Sequence, residues 1–120
     1  MSLLEKLGFG RPVEMVAPRA AHEGVRASNT IIIDVRNPDE WDSTGTPKGA
    51  HRFSMQDATF ADKVKTVMRE QPNSEIVLSC KSGMRSNMAI KMLNKAGLNN
   101  LKSLDGGIEG WNHEDLPLDN

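Results

Sequence analysis

Two short aliphatic runs dominate the pattern of this chain, Thr30-Ile31-Ile32-Ile33-Asp34-Val35 and Glu75-Ile76-Val77-Leu78-Ser79. Each is too short for a helix. Unbroken runs of this kind predict strands covered on both faces, as in a parallel sheet. The period then changes. Phe60, Val64, Val67 and Met68 recur at helical spacing, with Asp57 placed as a cap and Pro72-Asn73 as the stop. From Ser86 onward Ala89, Ile90, Leu93 and Ala96 share a helical face; Lys91 and Lys95 oppose the dipole near its end, and Gly97 predicts the C-cap. Weaker signals fill the remainder. Residues 13–16 read as a first strand, and Pro18 opens a helix over 19–26 that Gly24 interrupts. Asn37-Pro38-Asp39-Glu40 reads as the start of a short helix, since residues 43–49 are loop. Residues 50–54 and 99–104 read as strands, and Asp105-Gly106-Gly107 turns into a brief helix over 108–111 before a tail that ends at Pro117. Alternation of strand and helix predicts an α/β domain with a mainly parallel sheet. We expect a lead-in over residues 1–12 and a single domain over 13–120.

Composition narrows the function. At 120 residues the chain has the size of one domain, and its formal net charge of −1 gives no field for nucleic acid or an anionic membrane. The one cysteine excludes an internal disulfide and fits a reducing compartment. Met1-Ser2-Leu3-Leu4-Glu5-Lys6-Leu7 carries two charges and too short an apolar run for a signal peptide or membrane span, so a cytoplasmic location is expected. His22, His51 and His113 are scattered and form no metal-ligand spacing with one Cys, so neither metal nor cofactor is expected.

The chemistry concentrates in Cys80-Lys81-Ser82-Gly83-Met84-Arg85-Ser86, between the second strand and the helix that follows it. A thiol there lies at the carboxyl end of a strand and faces the amino end of a helix, where backbone N–H groups and the dipole favour negative charge. Such surroundings lower the pKa of a thiol and expose a reactive thiolate. Lys81 and Arg85 add positive charge, and Gly83 lets the backbone curl. Ser82 and Ser86 shape the loop and supply donors, Met84 forms a wall, and Arg85 is placed to hold an anion or to brace the loop. The stretch reads as an anion cradle with a nucleophile at its floor.

Four segments together, Ile33-Asp34-Val35-Arg36-Asn37-Pro38-Asp39-Glu40-Trp41, Lys48-Gly49-Ala50, the Cys80–Ser86 loop and Asp105-Gly106-Gly107-Ile108-Glu109-Gly110-Trp111, resemble a single-domain rhodanese in order and spacing. The resemblance spans roughly residues 13–117. It implies a rhodanese-like parallel sheet of about five strands with helices on both faces. It also implies a sulfurtransferase in which Cys80 carries a persulfide, residues Lys81, Ser82, Gly83, Met84, Arg85 and Ser86 hold the substrate, and Asp34 and Arg36 support the neighbouring loops. The expected partners are a small anionic sulfur donor such as thiosulfate, or a protein persulfide, with cyanide or a thiol as acceptor. The alternative is a sulfur-carrier or protein-binding module with little turnover of its own. The chain departs from the family's usual Gly-His-Ile-Pro-Gly-Ala turn at Gly45-Thr46-Pro47-Lys48-Gly49-Ala50. Protein tyrosine phosphatases use a related cradle with five residues between Cys and Arg, whereas four intervene here, and no His immediately precedes Cys80. The smaller cup suits one sulfur atom better than a phosphoryl group.

Overall fold

The computed structural model describes residues 12–120. In chain order the elements are β1 (Met15–Val16), α1 (Pro18–Arg26), β2 (Thr30–Asp34), α2 (Pro38–Thr44), β3 (Thr46–Pro47) and β4 (His51–Arg52). They continue with α3 (Phe60–Glu70), β5 (Glu75–Ser79), α4 (Met84–Lys95), β6 (Leu101–Leu104), α5 (Gly107–His113) and β7 (Leu118–Asp119). Five strands form one parallel sheet in the order β1-β6-β5-β2-β4. This is the α/β architecture that the alternating pattern predicts, with the five parallel strands that the resemblance implies.

The period of two along a strand sorts the core into two layers. Ile31, Ile33 and Val35 of the first run and Ile76, Leu78 and Cys80 of the second pack with Phe60, Val64 and Val67 of α3 and Ala89, Ile90 and Leu93 of α4. Ile32, Val77 and Leu104 point the other way, onto Ala21 of α1 and Trp111 of α5. Cys80 therefore inherits its direction from Leu78, two residues earlier. It faces α4.

Topology decides where a site can form. β2 and β5 are adjacent and in register, Ile33 beside Leu78 and Asp34 beside Ser79. After β2 the chain moves to β4 on one side, and after β5 it moves to β6 on the other. The carboxyl ends of β2 and β5 thus flank a switch point, the crevice where open α/β sheets bind ligands.

Several local expectations are corrected. Gly24 does not interrupt α1; a Cβ there would lie 2.1 Å from the Thr30 hydroxyl oxygen, so the missing side chain lets the helix settle on β2. The cap of α3 is Thr59, not Asp57. The Asp57 carboxylate accepts from the Thr59 N–H at 2.8 Å and its hydroxyl at 2.7 Å, organising the turn just before the helix. α2 runs on to Thr44, and α4 begins at Met84, two residues ahead of the apolar periodicity, because its first turn belongs to the loop. The strands expected over 13–16, 50–54 and 99–104 are shorter, as β1 and β4 each pair through only two residues and β6 starts at Leu101. The tail does not end at Pro117. Leu118–Asp119 pairs antiparallel with Thr46–Pro47, the Gly49 N–H donates to the Asp119 carboxylate at 2.7 Å, and the Trp111 indole N–H donates to the Pro117 carbonyl at 2.8 Å. The departing turn at residues 45–50 is therefore built against the C-terminal tail. The expected lead-in over residues 1–12 lies almost wholly outside the described residues. Among the described residues no helix is long and apolar enough to cross a membrane.

Candidate functional site

The loop after β5 winds its backbone around one sulfur atom. Cys80 is 1 % exposed. Its Sγ accepts from the Gly83 N–H at 3.0 Å and lies 3.6 Å from the Ser86 hydroxyl. Gly83 has φ +124°, a conformation that a side chain would strain, and a Cβ there would meet only open space. The loop curls at Gly83 because of its backbone freedom, while Gly83 and Cys80 themselves stay buried.

The direction of the loop peptides has a visible cause. The Ile108 N–H donates to the Cys80 carbonyl at 2.8 Å, and the Glu109 N–H donates to the Lys81 carbonyl at 3.1 Å. In a trans peptide the N–H and C=O point in opposite directions. Holding the Lys81 carbonyl outward on α5 turns the Ser82 N–H of the same peptide inward. Gly107 makes this docking possible. At φ +57° it brings α5 so close that a Cβ would lie 2.5 Å from the Cys80 carbonyl oxygen.

These contacts set the acidity of the thiol. Burial pushes its pKa up, but bonds from the Ser86 N–H and hydroxyl and from the N–H groups of Gly83 and Ser82 outweigh it, leaving the thiol below its ordinary value. The inward N–H groups and the Ser86 hydroxyl come first in this stabilisation, and Arg85 adds a Coulombic attraction to the thiolate. Lys81 is exposed and 4.0 Å from Glu109. Arg85 forms a two-pronged pair with Glu40, Nη1 to Oε1 at 2.6 Å and Nη2 to Oε2 at 2.7 Å. That pairing holds the Glu40 carboxyl at about 2, with the Asn37 N–H and Arg36 helping against partial burial, and it raises the Arg85 pKa. It ties the start of α2 to the start of α4 across the switch crevice.

Asp34 and Arg36 come together beneath this bridge, both buried. Asp34 accepts from the Arg36 N–H at 3.1 Å, from its Nε at 3.0 Å and from its Nη2 at 2.8 Å, and also from the Thr46 hydroxyl. Arg36 further donates to Thr44 Oγ1 at 2.9 Å and to the Gly45 carbonyl at 2.8 Å. Such saturation is what a buried pair requires. The pair fastens α2 and the turn after it to the end of β2, and so positions Glu40.

Ser82, Gly83 and Ser86 are gathered at the sulfur. Met84 is exposed on the rim, Lys81 points to solvent, and Asp34 and Arg36 lie a layer below. Two residues were missed by sequence reasoning. Glu40 is 45 positions from Arg85, and nothing in a linear chain pairs them. Ser103 hydrogen-bonds the Ser86 hydroxyl at 2.7 Å while Ser86 lies 3.0 Å from the Gly83 carbonyl, so Ser103 fixes how that hydroxyl turns. Its signal was available: a serine at an inward position of β6, between Leu101 and Leu104.

The sequence profile of the rhodanese-like domain matches residues 17–114, most of the chain. The chain belongs to the rhodanese-like domain family. This rhodanese-like domain is 26 % identical to the thiosulfate sulfurtransferase GlpE of Actinobacillus succinogenes over 87 % of its own length and 88 % of that protein's. It is 27 % identical to GlpE of Haemophilus influenzae, covering 90 % of this chain and 96 % of that one. A rhodanese-related protein from Thermoplasma volcanium superposes with a TM-score of 0.71 at 24 % identity, over 88 % of this chain and 97 % of the other, a likeness of fold. The two GlpE proteins and the Thermoplasma protein are thus matched over most of their own lengths.

Proposed function

We propose that this rhodanese-like domain is a sulfurtransferase that works through a persulfide on Cys80. The observation that carries the reading is a buried sulfur surrounded by inward N–H groups, with its pKa lowered and, among the described residues, no histidine hydrogen-bonded to it. The family and the GlpE relatives support it. In the first half-reaction the Cys80 thiolate attacks the outer sulfur of thiosulfate or of a persulfide. The donor's S–S bond breaks, and sulfite or the donor thiolate leaves with the bonding pair. The Cys80 persulfide anion then occupies the cradle, held by the N–H groups of Ser82, Gly83 and Ser86. In the second half-reaction cyanide or an acceptor thiolate attacks the terminal sulfur and returns Cys80 as thiolate. This is two-step nucleophilic catalysis without a general base. Arg85 and Lys81 lie at the rim where a donor enters, Asp34 and Arg36 support the loops, and a reducing compartment such as the cytoplasm suits a free thiol.

Intact-protein mass spectrometry after incubation with thiosulfate tests the mechanism. The wild type should gain one sulfur atom that cyanide removes, and Cys80→Ser should gain none while keeping its fold. Sustained turnover by Cys80→Ser would refute the role given to the thiol.

A further inference from the structure

The two cations of the loop are already matched by carboxylates. Arg85 is bound by Glu40 through both terminal nitrogens, and Lys81 lies 4.0 Å from Glu109. The immediate rim therefore offers a small dianion little net charge. What it does present is apolar. Met84, Met88 and Met92 follow one another at intervals of four residues and are 77 %, 62 % and 43 % exposed. That spacing aligns them on one face of α4 as a stripe about 12 Å long. Scattered exposed apolar residues are ordinary. Three in line, beginning at the reactive loop, make a surface.

Charge frames that surface. Lys91 and Lys95 each follow a stripe methionine by three positions and so border it. The twelve residues of α4 include no acid, and among the described residues no carboxylate lies in ion-pair range of Lys91 or Lys95. A basic face is thus built locally on a chain of net charge −1. Flexible, polarizable thioethers edged by lysines complement a protein surface with an aliphatic notch edged by carboxylates. A lipid surface would satisfy the lysines, but three side chains are a small apolar face for membrane insertion, and a lipid brings no sulfur.

We propose that the methionine stripe of α4 docks an acidic protein partner that delivers or receives the sulfur on one of its own cysteines; the inference rests on reading Cys80 as the sulfur carrier. Met84 continues the stripe onto the loop, beside the open space at Gly83, so a partner seated on α4 is brought over the cradle. In delivery, the Cys80 thiolate attacks the outer sulfur of the partner's Cys–S–SH. The partner's S–S bond breaks, its thiolate takes the electron pair and then the proton, and Cys80 retains the persulfide anion. Nothing is oxidised or reduced overall.

The test uses the full chain and a short peptide of glutamate and leucine around a central cysteine, beside a second peptide with lysine replacing glutamate. Binding is read by fluorescence anisotropy with serine in place of the peptide cysteine, and transfer by mass spectrometry with the persulfidated peptide. The acidic peptide should bind at least tenfold tighter than the basic one. The double substitution Met88→Gln and Met92→Gln should weaken that binding at least fivefold and slow peptide transfer equally, with loading from thiosulfate unchanged. Equal binding of both peptides, or binding indifferent to the double substitution, overturns the proposal. Concentration-dependent dimerisation abolished by the double substitution would assign the stripe to a second copy, and binding of the variant-sensitive kind to anionic vesicles alone would assign it to a membrane; either overturns it. A markedly lower Tm of the double variant, with no peptide binding by the wild type, would make the chain itself the cover and also overturns it. Peptide binding with no sulfur transferred from either donor would leave docking standing and remove the sulfurtransferase reading instead.

Discussion

Gly107→Ala isolates what α5 does for the sulfur. At φ +57° an alanine carries a left-handed penalty of about 1–2 kcal/mol. Its Cβ would also lie 2.5 Å from the Cys80 carbonyl oxygen and 2.7 Å from the carbonyl carbon and oxygen of Lys81. Those are backbone atoms, so no rotamer change relieves the overlap. Overpacking of this kind costs about 1–3 kcal/mol. The total, about 2–5 kcal/mol, should appear as a lower urea midpoint in a chain that still folds. Relief requires α5 and the loop to separate, which stretches the bonds from Ile108 and Glu109 that hold the Cys80 and Lys81 carbonyls outward. If one inward N–H turns away from the sulfur, a charge-assisted bond of about 1.5–3 kcal/mol is lost, a tenfold or greater fall in thiolate population below the pKa. Iodoacetamide alkylation against pH measures this directly, because Cys80 is the only cysteine. Gly97→Ala is the control. It has φ +89° with nothing within 4 Å of a Cβ, so it carries the strain without the collision. We expect the alkylation profile to move to higher pH in Gly107→Ala and to stay in place in Gly97→Ala. Equal stability loss in the two variants, with a wild-type profile in Gly107→Ala, would refute the coupling between α5 and the thiol.

Two further outcomes follow from the network beneath the cradle. The Glu40 carboxyl is lowered from 4.5 to about 2, so its pairing stabilises the fold fully above about pH 4.5 and is lost as pH falls towards 2. Glu40→Gln should therefore be less stable than wild type near neutrality, by about 1–2 kcal/mol after allowance for solvent screening of a partly exposed pair. Urea titrations should show that gap narrowing steadily below about pH 4.5, and a gap constant down to pH 3 would contradict the assignment. Thr46→Val removes one donor from the buried Asp34 carboxylate, leaving that lone pair without solvent. A stability loss of about 1–3 kcal/mol is expected from calorimetry, whereas a neutral effect would mean Arg36 alone satisfies the carboxylate.

How far the sequence speaks depends on the range of the interaction. Ile31–Ile33 and Ile76–Leu78 declared the central strands because burial on both faces leaves no room for polar residues. The grouping of Cys80, Gly83 and Ser86 was legible because strand end, loop and helix start are contiguous. The partners of those residues were not. Glu40 meets Arg85, Ser103 meets Ser86, and Ile108 and Glu109 meet the loop carbonyls only after parallel pairing has brought distant segments together. Lys81 and Arg85 read as free cations because their carboxylates lie far along the chain. Gly24 was misread for a similar reason. Its cost is local to the helix, while its benefit, contact with Thr30, belongs to the packed sheet. The closing pair of β3 and β7 carries no periodicity at all, since two residues on each side cannot establish one.

The sheet's outermost strands, β1 and β4, contribute two residues apiece. A border that short exposes hardly any unpaired main-chain donors and acceptors, so another polypeptide gains almost nothing by lining up along it. Strand-to-strand polymerisation, the usual hazard of an open parallel sheet, is thereby starved of a template. The same brevity restricts how this domain can be recognised. Among the described residues, the edges of this sheet favour recognition by side-chain chemistry over extension of its ladder of backbone bonds.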